Sequence, residues 1–395
     1  MRHLRTHDSY ALANGRTPWS SLRRVRVPFV DLKRQTAAVR EQLDPAIARV
    51  LSSGWFVLGN EGAEFEREFA HWVGTAHAAG AASGTDAIEL AVRATGIGPG
   101  DEVVTQANTC VPTVTGIERA GATVVLCDVD AATAAMDPAS LAAAIGLCTR
   151  AVVVVHLYGQ CGDVDAIERL AGDQGLTLIE DCAQAHGAAA GPRRAGTIGA
   201  AGCFSFYPTK NLGALGDGGA VVTGDPGVVE RMRRLRTYGQ TDRYRHDERG
   251  LNSRLDEIQA AILRAKLPLL DAWTERRRAI AARYDSALEG TVARPVARVP
   301  GNTPAYHLYV VAVPDRPAFQ QALEERGVST LVHYPLPIHH QPAYRELAAG
   351  PVPLTASEEL AGQVVSLPLF PELTDDEVEH VAAAAREAAQ RLPGA

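Results

Sequence analysis

Five short apolar runs constrain the fold of this chain more than any other feature. Glu102–Thr105 (EVVT), Ala122–Cys127 (ATVVLC), Ala151–His156 (AVVVVH), Leu176–Glu180 (LTLIE) and Gly219–Thr223 (GAVVT) are apolar throughout rather than at every second residue. A strand with one wet face alternates, so a continuous apolar strand implies a sheet buried on both sides. Between the runs lie stretches of helical period, such as Asp163–Ala171, whose Val164, Ile167, Leu170 and Ala171 share one face. The pattern predicts an α/β domain built on a mostly parallel sheet with helices against both faces.

Beyond this region the period changes. A long helix is expected from near Asn252, because Ser253 followed by Asp256 looks like a capping box ahead of the stripe Leu255, Ile258, Ile262 and Leu263. It should run through Pro268 into a second helical stretch, where the charged run Glu275–Arg278 reads as a solvated face. The Pro/Gly-rich stretch Arg294–Pro304 then introduces a compact αβ region. Its expected elements are a strand at His307–Val313, a helix at Pro317–Arg326 and a closing helix at Thr374–Arg391. The division expected is a flexible extension over residues 1–26, a large domain over 27–265 whose N-terminal segment packs on the small domain, and a small αβ domain over 266–395.

Composition narrows the function classes. A formal net charge of −7 favours neither nucleic acid nor an anionic membrane surface. No apolar run approaches the roughly 20 residues that span a bilayer, and the basic, polar first two dozen residues lack the apolar stretch of a secretory signal. The six cysteines show no CxxC or Cys/His cluster of metal-binding spacing, so reduced thiols in a cytoplasmic protein and no metal site are expected.

Open parallel sheets bind ligands at the carboxyl ends of their strands. Three such ends carry polar residues, Asp128, His156 and Asp181, although Asp is common at strand-to-helix turns for conformational reasons alone. A second feature is ASGTDA at Ala82–Ala87, small residues opening a helix whose free N–H groups suit a phosphate, or which form an ordinary N-cap. A third is FSFYPTKNLGALGDGG at Phe204–Gly219, where Lys210 precedes glycines that allow a tight path. Alone, Lys210 could be a solvated loop lysine, and these glycines do not match the dinucleotide-binding fingerprint. Together the three meet the needs of pyridoxal phosphate (PLP). That cofactor requires a lysine for an imine, a carboxylate to keep the pyridine nitrogen protonated, and a phosphate cradle. The order cradle, aspartate, lysine suits an aspartate-aminotransferase-like fold.

The chain resembles the DegT–DnrJ–StrS sugar aminotransferases through SGTDAIELAVRATGIGPGDEVVT, VVVVHLYGQ, IEDCAQAHGA, FSFYPTKNLGALGDGGAVVT, LNSRLDEIQAAILRAKL and HYPLPIHHQPAY, from about Val27 to Arg391. The resemblance implies PLP-dependent transferase fold type I, with a large mixed sheet and a small C-terminal domain. It makes Lys210 the Schiff-base lysine and general base, Asp181 the pyridinium partner and Gln184 the ligand of the ring hydroxyl. Gly84, Thr85 and Asp86, with Ser205, would hold the phosphate. Asn252 would reach it from the neighbouring subunit of an obligate homodimer, or serve as a helix N-cap. Cys110 stands where many relatives carry a stacking aromatic ring, and its sulfur would pack on the cofactor instead. Relatives that dehydrate sugars have histidine at the lysine position, so Lys210 points to amination.

The implied substrates are L-glutamate and a nucleotide-linked keto sugar, in particular C3 of a dTDP-3-keto-6-deoxyhexose of the kind used in antibiotic deoxysugar biosynthesis. C4 amination of a dTDP-4-keto-6-deoxyhexose, an inosose acceptor and a non-catalytic PLP-binding regulator are the alternatives. Arg243 and Tyr244, in the basic-aromatic loop Tyr238–Arg249, are candidate diphosphate partners if that loop faces the site. His333 and Tyr334 are candidates to close over the sugar, with His339 and His340 following as surface or packing residues.

Overall fold

The computed structural model describes residues 26–394, so nearly all of the expected N-terminal extension lies outside the described residues. Seven strands form the central sheet: β1 His77–Ala81, β2 Glu102–Gln106, β3 Thr123–Cys127, β4 Thr149–Val155, β5 Thr177–Asp181, β6 Ala201–Ser205 and β7 Gly219–Thr223. Their spatial order is β1-β7-β6-β5-β4-β2-β3. All run parallel except β7, which is antiparallel to both of its neighbours.

The five runs read from the sequence are all strands, and their continuity has the expected cause. Along β4, Val152 and Val154 enter one buried cluster with Phe65, Phe69 and Leu178, while Ala151 and Val153 enter the cluster on the opposite face with Ile88, Leu90 and Ile179. Strands β1 (HAAGA) and β6 (AGCFS) were not anticipated. Small residues carry little strand propensity, yet close approach demands them: a Cβ on Gly202 of β6 would collide with the backbone of Gly196.

The small region carries a three-stranded antiparallel sheet of β8 Arg294–Pro295, β9 Tyr309–Ala312 and β10 Val364–Leu367. The helices Leu270–Leu288, Arg316–Glu325 and Asp375–Gln390 pack with it around Tyr284, Phe319 and Val381. The last helix opens with a capping box of Thr374 and Glu377. The N-terminal segment meets this region: Val27 pairs with Val328, and Arg34 donates to Glu377 at 2.7 Å.

Two expectations are corrected. The helix placed near Asn252 starts at Glu257 with Asp256 as N-cap, and Ser253 is used elsewhere. Asn252 bridges to Thr237, and the Ser253 hydroxyl donates to Asp86 at 2.8 Å while accepting from the Ala82 amide. The Glu257 carboxylate accepts from the amides of Gly59, Glu61 and Gly62, so it caps the Asn60–Val73 helix. The run Glu275–Arg278 is not wholly solvated either. Arg277 is buried and donates to the carbonyls of Tyr306, His307 and Leu369, a tie between helix and sheet that charge alone does not reveal.

Candidate active site

A cavity of about 410 Å³ opens at the carboxyl ends of the parallel strands, its lining including Thr85, Asp181, Gln184, Ser205, Lys210 and Tyr334. Of the three polar strand ends, only Asp181 faces it. Asp128 accepts from the amides of Ala356 and Ser357 and anchors the Thr355–Gln363 helix. His156 is fully buried and pairs with Glu180 at 2.9 Å, on the opposite side of β5 from Asp181. Neighbouring residues of a strand point to opposite faces, which separates Glu180 from Asp181.

Asp181 ends β5 and is 4% exposed. Its hydrogen bonds among the described residues come from the Thr113 hydroxyl at 2.8 Å and the Ala183 amide at 3.0 Å. Burial pushes its carboxyl above the usual range, against the pull of those donors and of Lys210. A buried carboxylate without an ion-pair partner among the described residues suits a cation brought by a ligand, as a protonated pyridine nitrogen would be. Lys210 sits in the turn after β6, its amide donating to the Tyr207 carbonyl. Burial pulls its ammonium below the usual lysine range, while Asp181 and Cys110 oppose that shift. A lysine held closer to neutral is a better nucleophile for a carbonyl group.

The Gly84–Ala94 helix points its N-terminus into the same space. Its N-cap is Ser83, whose side chain accepts from the Asp86 amide, while the amides of Gly84 and Thr85 make no hydrogen bond among the described residues. Free amides at a helix start suit a phosphate. Lysine, carboxylate and anion cradle thus meet in one cavity, and the residues fit PLP. A Cβ on Gly84 would lie 2.6 Å from Ser205 Cβ and 3.2 Å from its Cα. Overpacking of this kind costs ~1–3 kcal/mol. Gly84→Ala should therefore raise the PLP dissociation constant by about tenfold or more, measured by titrating stripped protein.

The remaining expected residues divide. Gly84, Cys110, His333 and Tyr334 line the cavity together with those already placed. Cys110 precedes the Val111–Arg119 helix on one wall. Gln184 accepts from the Tyr158 amide at 2.7 Å and donates to the Tyr334 hydroxyl at 3.2 Å, which leaves one amide hydrogen for a ligand. Asp86 is a correction. Its carboxylate is held by Arg119 at 2.8 Å and by Ser253, and Asp86 lies outside the lining that Gly84 and Thr85 share. Arg243 and Tyr244 also lie outside the lining, on an exposed two-stranded ribbon, where the guanidinium stacks 5.3 Å from the Tyr244 ring. Asn252 is exposed and outside it too.

Three residues were missed by sequence reasoning. Thr109 and Thr113, 2.9 Å apart, form a hydroxyl chain ending on Asp181, which lies on a strand distant in the sequence. His307 lines the cavity and lies 3.2 Å from Asn211, next to Lys210. Thr113→Val would leave Asp181 with one donor. Hydrogen bonds to charged groups contribute ~1.5–3 kcal/mol, so turnover should fall by at least about tenfold and the acid limb of the pH–rate profile should move up.

Burial pulls His333 down to about 4, with Lys210 adding to the shift. The unfolded chain then binds a proton that the folded chain does not, from about pH 4 up to the unfolded value near ~6.5. His333 therefore contributes stability above that window, lost as pH falls through it. Denaturant midpoints for His333→Asn should show a shallower decline over that pH range.

The DegT/DnrJ/EryC1/StrS aminotransferase family matches residues 37–386. A dTDP-3-amino-3,4,6-trideoxy-alpha-D-glucose transaminase of Streptomyces venezuelae is 46% identical, over 93% of this chain and 97% of its own length. A UDP-N-acetyl-3-dehydro-alpha-D-glucosamine 3-aminotransferase of Acidithiobacillus ferrooxidans is 42% identical, over 91% of this chain and 97% of its own. Among solved structures, S. venezuelae DesV in complex with a ketimine intermediate superposes with a TM-score of 0.90 at 46% identity, covering 93% of this chain and 99% of that one.

Proposed function

The chain belongs to the DegT/DnrJ/EryC1/StrS aminotransferase family, and from that premise we propose that it aminates C3 of a dTDP-3-keto-6-deoxyhexose with L-glutamate as donor. The observation that carries the reading is the convergence of Lys210, Asp181 and the Gly84–Thr85 amides on one cavity. PLP bound there supplies an electron sink that lets an amino group leave one carbon and join another. Glutamate leaves as 2-oxoglutarate, and the sugar ketone becomes an amine.

The side chains have separate tasks. Asp181 would hold a proton on the ring nitrogen, and Thr113 fixes the orientation of its carboxylate. The amides of Gly84 and Thr85, with Ser205, hold the phosphate. Lys210 would hold the cofactor covalently, and its amine would supply the base that takes and returns the donor's proton. Gln184 would orient the ring hydroxyl, Cys110 would pack on the ring, and His333 and Tyr334 would cover the sugar.

The protein acts as a homodimer. Trp55, Phe56, Leu58, Leu215 and Tyr244 are large apolar side chains left exposed on the single chain, which a partner subunit would cover. Asn252 and the Arg243–Tyr244 ribbon lie outside the lining of their own cavity, which leaves them available for the phosphate and diphosphate of a partner's site. Sedimentation should give twice the 42.0 kDa chain mass. The described residues contain no helix long and apolar enough to cross a membrane. Six free cysteines suit a reducing cytoplasm.

The test is a panel of keto sugars assayed with glutamate, the aminated carbon being located by NMR. The expected product carries nitrogen at C3 of a dTDP-linked 6-deoxyhexose. Amination of UDP-N-acetyl-3-dehydroglucosamine alone would move the proposal to another nucleotide and sugar, and amination at C4 would overturn it.

A further inference from the structure

The Ile338–His340 turn follows the cavity residues His333 and Tyr334, and its start is anchored where the Ile338 amide donates to the Ala107 carbonyl after β2. The next two side chains, His339 and His340, both aim at one carboxylate. His339 Nε2 lies 3.0 Å and His340 Nε2 3.3 Å from the same Glu358 Oε1. The three ligand-type atoms lie within 4.8 Å of one another. Sequence reasoning treated both histidines as surface or packing residues, because adjacent histidines carry no recognised spacing and Glu358 is distant in the chain.

We propose that His339, His340 and Glu358 form a binding site for a divalent transition-metal ion of the zinc type. Zinc bonds to nitrogen and oxygen are ~2.0–2.2 Å, which puts neighbouring ligand atoms of a tetrahedron roughly 3.2–3.5 Å apart. The two separations, 3.0 and 3.3 Å, sit at or just under that range, so small side-chain rotations admit the ion. Two imidazoles and one carboxylate suit zinc, nickel or copper and not magnesium or calcium. One ligand is buried, with the His339 side chain 3% exposed, and two face solvent, with His340 and Glu358 47% and 46% exposed. A buried wall and an open fourth position, filled by water, describe a site that loads from solution.

Position gives the site a consequence. Glu358 belongs to the Thr355–Gln363 helix, whose N-terminus is held by Asp128 at the end of β3. An ion here ties the segment bearing His333 and Tyr334 to a helix already fixed to the sheet.

The experiment uses the full chain loaded with PLP, freed of metal by a chelator and titrated with zinc chloride, bound zinc being counted after desalting. One zinc per chain is expected, with a rise in the unfolding temperature on loading. His340→Ala and Glu358→Gln change half-exposed side chains, and retained PLP absorption shows that each has folded. Each should weaken zinc binding at least about tenfold, since even outer-shell changes cost 10–100-fold, and each should lose the thermal shift. No zinc on the parent protein, or zinc affinity in both variants equal to the parent's, overturns the site.

Discussion

Lys210→Ala is expected to abolish the visible absorption of the PLP-loaded protein and to cut turnover by at least the ~10²–10⁴-fold that a positioned acid–base group contributes. No other lysine can take its place. The chain has two others, Lys33 and Lys266. Lys33 lies on the N-terminal Leu32–Ala38 helix, and Lys266 is buried with its Nζ donating to the Gly213 carbonyl at 2.7 Å. Borohydride should fix PLP to the parent protein at Lys210 and leave the alanine variant unlabelled. An adduct on Lys33 or Lys266 would contradict the assignment.

Asp181→Asn is the second large effect. The amide keeps the shape and still meets Thr113, but it cannot hold a proton on the ring nitrogen. Removing one preorganised electrostatic group typically costs 10²–10³-fold in turnover, and a loss of about that size is expected. PLP should still bind, because the Gly84–Thr85 amides and Lys210 are untouched. Retained turnover with a normal spectrum would show that the buried carboxylate has another role.

How much of this was legible follows from physical causes. The five buried strands were readable because both faces are covered, which removes the alternation that makes strand and helix hard to separate. Strands β1 and β6 were not, because Ala and Gly there answer to close packing and not to propensity. Lys210, Asp181 and the helix start at Gly84 were readable since each lies at a strand end in an unusual local sequence. Asp86 misled for a related reason: an acidic residue in the first helical turn looked like part of the cradle, whereas Arg119 and Ser253 draw it away. Thr113 and His307 reach the cavity through tertiary contacts that no local pattern encodes. The start of the Glu257–Lys266 helix was displaced because Ser253 and Glu257 cap and bridge other elements.

The central claim, that this cavity performs amino transfer and not mere cofactor binding, is tested by one spectroscopic titration of the PLP-loaded protein. Adding L-glutamate without sugar should bleach the visible band and release one 2-oxoglutarate per cavity, leaving the pyridoxamine form. A dTDP-linked 3-keto-6-deoxyhexose should then restore the band as the amino sugar forms. A band unchanged by glutamate, with PLP still bound to Lys210, would contradict the claim and favour a non-catalytic PLP-binding role.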